Sequence, residues 1–242
     1  MELAAYDFNC ELTIVAPLKP YDMTEQNELI NQTLRRTPDA WVLSPVDIKV
    51  QASFHAPSFK KIPLAIINSP DTNLHNVSII SPNYGQMADQ LAKRILLELP
   101  QLERAVICFT IDADPTREIK LLLQSEFSRL GVKCVLMDFS DAITDGSSGD
   151  EPLQFLNQVD GAHNALICMD GEALSTVLTL SNEQENQNSV PQIYALAADI
   201  TAVSYLEKGS VKLLVQDNQF TSGYLAIKYL AELLRRGKKH RR

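Results

Sequence analysis

Cysteine is scarce and badly spaced for chemistry: the four, Cys10, Cys108, Cys134 and Cys168, form no C-x-x-C pair, so no zinc ribbon or dithiol redox motif is spelled out. Cys108 and Cys168 fall inside apolar runs, where a free thiol behaves as a small hydrophobe. Histidine is equally dispersed. His55, His75, His163 and His240 never approach H-E-x-x-H, and Gly146-Ser147-Ser148-Gly149 is not a G-x-S-x-G elbow. No G-x-G-x-x-G or G-x-x-x-x-G-K cradles a phosphate. No apolar run approaches the roughly 18 to 20 residues that span a bilayer, and no basic-then-apolar leader opens the sequence. Positive charge is in deficit, with 22 Lys and Arg against 30 Asp and Glu and a net charge of -8. That balance excludes wrapping of nucleic acid over much of the surface. The one basic cluster, Arg235, Arg236, Lys238, Lys239, Arg241 and Arg242, ends the chain and reads as a solvated helix terminus whose cations suit the negative end of the dipole. Nothing calls for a metal or a cofactor.

What the sequence does hold is strand and helix in alternation. Strand-like runs read ELTIVAP (11–17), AWVLSP (40–45), PLAIINS (63–69), VSIISP (77–82), RAVICFT (104–110), KCVLMD (133–138), ALICMD (165–170), QIYALA (192–197) and VKLLVQ (211–216). Most are continuously apolar, as a parallel strand covered on both faces requires. The helices between them carry end signals. Asp22 with Glu25 has capping-box spacing ahead of a helix to about Arg36. Asp114-Pro115 precedes a helix whose Ile119, Leu122, Leu123, Phe127 and Leu130 repeat on one face until Gly131. Gly209 ends another, and Phe220 to Arg236 is the longest. The polar stretches 141–150 and 181–189 read as surface loops. The class is α/β with parallel sheets and right-handed crossovers.

In an open parallel sheet, ligands bind at the carboxyl ends of the strands, where helix N-termini point inward. The polar residues directly after the apolar runs are Ser44, Asn68 with Ser69, Ser81, Thr110, Asp170 and Gln216. Each taken alone is equally a turn or capping residue. Arg117 is more pointed, because a cation in the first turn of a helix opposes the dipole. Its guanidinium could make forked hydrogen bonds to vicinal hydroxyls or a carboxylate, or it could pair with Asp112 or Asp114. Trp41, the single tryptophan, sits within a strand run and reads as core.

The order of these pieces resembles the type I periplasmic binding protein fold, which includes ribose- and galactose-type sugar receptors and the effector-binding domains of LacI-type repressors. Gln26-x-x-x-Ile30 followed by PDAWVLSPVD resembles the family's second helix and third strand. KIPLAIINS resembles its "IPVV.ID" strand, and SIISPNYGQMADQLA its "V..DN...G..AA..L" crossing. PTREIKLLLQSEFSRLGV is similar to "R..GF...L...G", ALICMDGEAL to "AI...ND..A.G", and YLEKGSVKLLVQDNQFTSGYLAIKYL to "I..G...A.V.Q.....G..A...L".

The resemblance implies two Rossmann-like lobes joined by a three-segment hinge, lobe one being residues 1–82 with 217–242 and lobe two 83–216. It also implies that the family's first strand and final crossing are missing, which should expose apolar sheet edges. Carried over residue by residue, the ligand-binding set is Ser44, Asn68, Ser69, Arg117, Asp170 and Gln216. Asn68 stands in place of an acid, Gly171 in place of the second residue of "ND", and Ala197 in place of an aspartate. The implied function is non-enzymatic: binding of a small polar, sugar-like ligand with hinge closure, as a solute receptor working with a membrane transporter or sensor. The alternatives are a dimeric LacI-type effector domain and a degenerate protein-interaction module. A further rival is an α/β enzyme using Asp170 or Asp112 as acid or base. A receptor would be periplasmic and a regulator cytoplasmic.

Overall fold

A computed structural model describes residues 1–47, 62–69, 77–140, 163–182, 191–196 and 200–239. The loop at 141–150, all but two residues of the loop at 181–189, Ala197, His55, His75, His240, Arg241 and Arg242 lie outside that set. The chain forms two compact units, one comprising Met1–Pro82, Ala113–Pro115 and Asn218–Arg242, the other Asn83–Asp112 and Thr116–Asp217.

The first unit contains helices α1 (Glu2–Asp7), α2 (Met23–Leu34) and α7 (Gln219–Lys239), and strands β1 (Trp41–Leu43), β2 (Leu64–Ile67) and β3 (Val77–Ile80). The strands pair in the order β1-β2-β3, all parallel. β2 is buried along its whole length, which explains why LAII does not alternate. Its side chains still divide by face. Leu64 and Ile66 join Trp41, Leu43 and Ile30 of α2, whereas Ala65 and Ile67 pack against Ala226 and Leu230 of α7. Trp41 is core, as its place in a strand run predicts.

The second unit holds α3 (Tyr84–Glu98), β4 (Arg104–Phe109), α4 (Thr116–Arg129), β5 (Lys133–Asp138), β6 (Asn164–Cys168), α5 (Gly171–Asn182), β7 (Gln192–Ala195), α6 (Ile200–Glu207) and β8 (Leu213–Leu214). Its five parallel strands run in the order β5-β4-β6-β7-β8. Alternation along the central strands builds two cores. Ala105, Ile107, Phe109, Ala165 and Ile167 face α3 and α4, while Val106, Cys108, Leu166 and Cys168 face α5 and α6. This is the doubly wound arrangement that strand-helix alternation dictates.

Helix ends follow their signals with two differences. Asp22 accepts from the Glu25 backbone N–H at 2.9 Å, but the Glu25 carboxylate takes the Leu18 N–H at 2.8 Å, so the reciprocal half of the box closes on an earlier residue. Asp114 is buried and belongs to the first unit, with α4 starting only at Thr116. Gly131 and Gly209 both take positive φ, 79° and 75°. Each closes a Schellman motif: Val132 N–H to Phe127 C=O with Gly131 N–H to Ser128 C=O, and Ser210 N–H to Tyr205 C=O with Gly209 N–H to Leu206 C=O.

The run 11–17 is the main departure, because it forms no strand and leaves Ile14 and Val15 at least half exposed. A strand is defined by its ladder partner, and among the described residues β1 pairs on one side only, with β2. Apolar, β-branched composition alone does not order a chain. Free thiols read from the sequence as small buried hydrophobes, an expectation that needs correction for two of the four. It holds for Cys108 and Cys168, while Cys134 is half-buried and Cys10 exposed.

Candidate functional site

Parallel pairing sends all strand ends of a sheet to one edge, so the polar residues after each apolar run share an edge within their own unit. In the first unit, Ser44 follows β1, Asn68 and Ser69 follow β2, and Ser81 follows β3. In the second, Thr110 follows β4, Asp170 lies just beyond β6, and Gln216 just beyond β8.

Ser44 is exposed. The turn that holds it is pinned by Gln26 of α2, whose Nε2 donates to the Ser44 carbonyl at 2.9 Å and whose Oε1 accepts from the Val46 N–H at 2.9 Å. Asn68 adopts left-handed φ (54°), a conformation that asparagine tolerates better than most residues. Its Oδ1 is buried without a hydrogen-bond partner among the described residues, an orphaned acceptor at the strand end. Such an atom stays unsatisfied at a cost of roughly 1–3 kcal/mol unless a donor reaches it. Ser69 is fully buried and tied to Ser81, whose hydroxyl accepts from the Ser69 N–H at 3.0 Å and donates to the Ser69 carbonyl at 2.7 Å. The Ser69 hydroxyl lies 3.5 Å from Asp114 Oδ2. Ser69 therefore supports the strand end, and Asn68 is the residue with unused capacity.

In the second unit Asp170 is heavily engaged. Oδ2 accepts from the Thr110 N–H at 2.9 Å, and Oδ1 accepts from the Thr110 hydroxyl and the Ala173 N–H, both at 2.8 Å. It caps α5 and locks the end of β6 to the end of β4. Two carboxylate oxygens offer about four lone-pair sites, and described residues occupy three. Gln216 is exposed.

Arg117 is in the first turn of α4 with its side chain one-third exposed. Asp112, one of its two foreseen partners, is engaged: Nη2 donates to the Asp112 carbonyl, and Nε lies 3.5 Å from Asp112 Oδ1. The same Oδ1 accepts from Lys120 Nζ at 2.9 Å. Lys120 was not legible as a site residue. Its side chain is only 7% exposed, and its ammonium stands 3.7 Å above the centroid of the Phe109 ring. A desolvated cation over an aromatic face gains about 2 kcal/mol, which offsets part of the burial penalty. The available signal was a lysine at a core-facing helical position, one residue after Ile119 and three before Leu123.

Each unit by itself carries hydrogen-bonding groups at its strand-end edge: hydroxyls and an amide in the first, a carboxylate, an amide and a partly exposed guanidinium in the second. Among the described residues, no cluster of His, Cys, Asp and Glu could hold a metal, and no helix is long and apolar enough to cross a membrane.

A family model described as a periplasmic binding protein domain matches residues 1–239. Solved structures similar to the chain include a periplasmic sugar binding protein of an ABC sugar transporter from Legionella pneumophila, at 18% identity and TM-score 0.77, with 95% of this chain and 85% of that one covered. A glucose-galactose binding protein from Geobacillus stearothermophilus matches at 13% identity and TM-score 0.80, covering 96% and 83%. An ABC transporter, LacI family transcriptional regulator from Brachyspira murdochii matches at 13% and 0.74, covering 97% and 82%. Comparison with curated proteins gives no match. Identities this low speak to the fold, which is that of the type I periplasmic binding proteins.

Proposed function

From the premise that the chain belongs to the periplasmic binding protein domain family, we propose that it is a non-enzymatic receptor for a small sugar-like molecule, serving transport or sensing. The observation that supports this reading is that Ser44, Asn68, Ser69, Asp170 and Gln216 follow the carboxyl ends of parallel strands and Arg117 lies in the first turn of the helix after β4. Sugar recognition by similar folds from Legionella pneumophila and Geobacillus stearothermophilus supports the ligand class.

The roles divide by available capacity. The orphaned Asn68 Oδ1 accepts from a sugar hydroxyl, and the exposed part of the Arg117 guanidinium donates to vicinal oxygens. Ser44 and Gln216, both exposed, contribute further polar contacts. Asp170 has one lone-pair site left among the described residues and otherwise holds the strand ends in place, and Ser69, tied to Ser81, anchors the chain beside Asn68. Donors and acceptors desolvated by a ligand must all be matched, which makes such a site selective.

Isothermal titration with a panel of pentoses and hexoses tests this. Saturable heat is expected for at least one sugar, and R117A should weaken it about 10- to 100-fold, the loss of a charged hydrogen bond. A folded sample giving no heat with any sugar would overturn the reading. A second reading, the effector-binding part of a LacI-type regulator, is favoured by the Brachyspira murdochii structure. It predicts a dimer in sedimentation analysis.

A further inference from the structure

We propose that Lys120 is a positioning residue that orients Arg117 through the Asp112 carboxylate. Its consequence for binding rests on Arg117 being a ligand contact, whereas the linkage itself needs no ligand.

The buried face of α4 comprises Thr116, Ile119, Lys120, Leu123 and Phe127. Helical periodicity asks for an apolar side chain at position 120, and leucine or methionine would satisfy it. A lysine there is unfavourable twice over. Burial penalises its charge, and the second turn of a helix is close to the positive end of the dipole. Packing alone does not require a cation at this place.

What the cation does is visible in its contacts. Nζ is held above the Phe109 ring and donates to Asp112 Oδ1 at 2.9 Å. Asp112 is 53% exposed, and an exposed carboxylate beside an arginine makes only a weak, exchanging pair. A buried, sterically fixed ammonium removes that freedom. Asp112 then presents two fixed acceptors to Arg117, the Oδ1 that lies 3.5 Å from Nε and the carbonyl that takes Nη2. Two points on one residue define the plane of the guanidinium, and its exposed part keeps a set direction before any ligand arrives. Preorganisation of this kind reduces the ordering cost of binding.

The experiment reads Arg117 directly, by the side-chain Nε–H signal of 15N-labelled protein assigned with R117K. In K120M, which keeps size and removes charge, the signal should shift toward that of free arginine, with solvent exchange faster by about tenfold, the factor expected for one lost charge-assisted restraint. An unchanged signal in folded K120M overturns the proposal. If K120M does not fold, D112N at its half-exposed position decides: both the Lys120 ammonium signal and the Arg117 Nε–H must move, and either one staying put overturns it. With a sugar that binds the wild type, K120M should weaken binding about tenfold and should add nothing in a D112N background. Additive losses overturn the linkage. If no sugar binds the wild type, the receptor reading fails while the Arg117 signal still decides the role of Lys120.

Discussion

Asp170 shows how one side chain serves two purposes at a strand end. Its position after ALICM marks it as a polar strand-end residue, but the partner that uses it most, Thr110, is 60 residues away in sequence. D170N keeps the shape and exchanges an acceptor for a donor. An amide NH2 would then oppose the N–H or hydroxyl of Thr110, and the cap on Ala173 would weaken. The expected loss is about 1–3 kcal/mol, measurable by chemical denaturation, with a retained helical spectrum. Ser44, Asn68 and Arg117 were legible because each breaks a local pattern: a polar residue ending an apolar run, or a cation at a helix start. Lys120 also breaks a pattern, a cation on the apolar face of its helix, but the helix alone does not say what the cation is for. Its meaning depends on Phe109 and Asp112, which the strand-to-helix turn brings over it.

Elements with complete local signals formed where the residues indicate. The helix α4 lies between Pro115 and Gly131, and its C-terminal end obeys a short-range rule. Gly131 occupies left-handed φ, and no atom lies within 4 Å of the place a Cβ would take, so any penalty for a larger residue is backbone strain and not a clash. G131A should therefore destabilise by about 1 kcal/mol in denaturant titration, with no change in the core. The segment 11–17 marks the opposite limit. Glu11 to Pro17 has strand composition, but a strand needs hydrogen bonds from a neighbour, and no described strand supplies them. The two-residue β8, where VKLLVQ predicts six, reflects the same dependence: only Leu213 and Leu214 meet β7 in register.

At the scale of the molecule, the three described thiols outside the first unit report on different depths of the second. Cys108 and Cys168 lie in register on neighbouring strands and are fully buried, and the adjoining Cys108 thiol together with burial holds the Cys168 thiol well above the ordinary range. Cys134, on the edge strand β5, is pushed up from 9.0 to about 11 by desolvation. A raised thiol pKa means less thiolate at a given pH. Alkylation of Cys134 in the native protein should thus keep accelerating until about pH 11 rather than levelling near 9. The exposed Cys10 should react first. Cys108 and Cys168 should become reactive only with global unfolding, because central-strand core opens with the whole unit. Mass spectrometry of peptides after timed iodoacetamide exposure checks the order, and early labelling of Cys168 would contradict the buried placement.

Local rules, namely apolar runs, caps and helix-ending glycines, act over a few residues, so the sequence by itself determined the strand-helix alternation, the parallel α/β class, the strand-end positions of Ser44, Asn68, Asp170 and Gln216 and the helix-start position of Arg117. Tertiary structure decided which partners those positions meet. The capture of Asp170 by Thr110, the tie between Ser69 and Ser81 and the burial of Lys120 over Phe109 all depend on partners that only the folded chain brings within reach, and among the described residues 11–17 meets no strand partner. A hydrogen bond is set by distance in space, and the sequence records only distance along the chain.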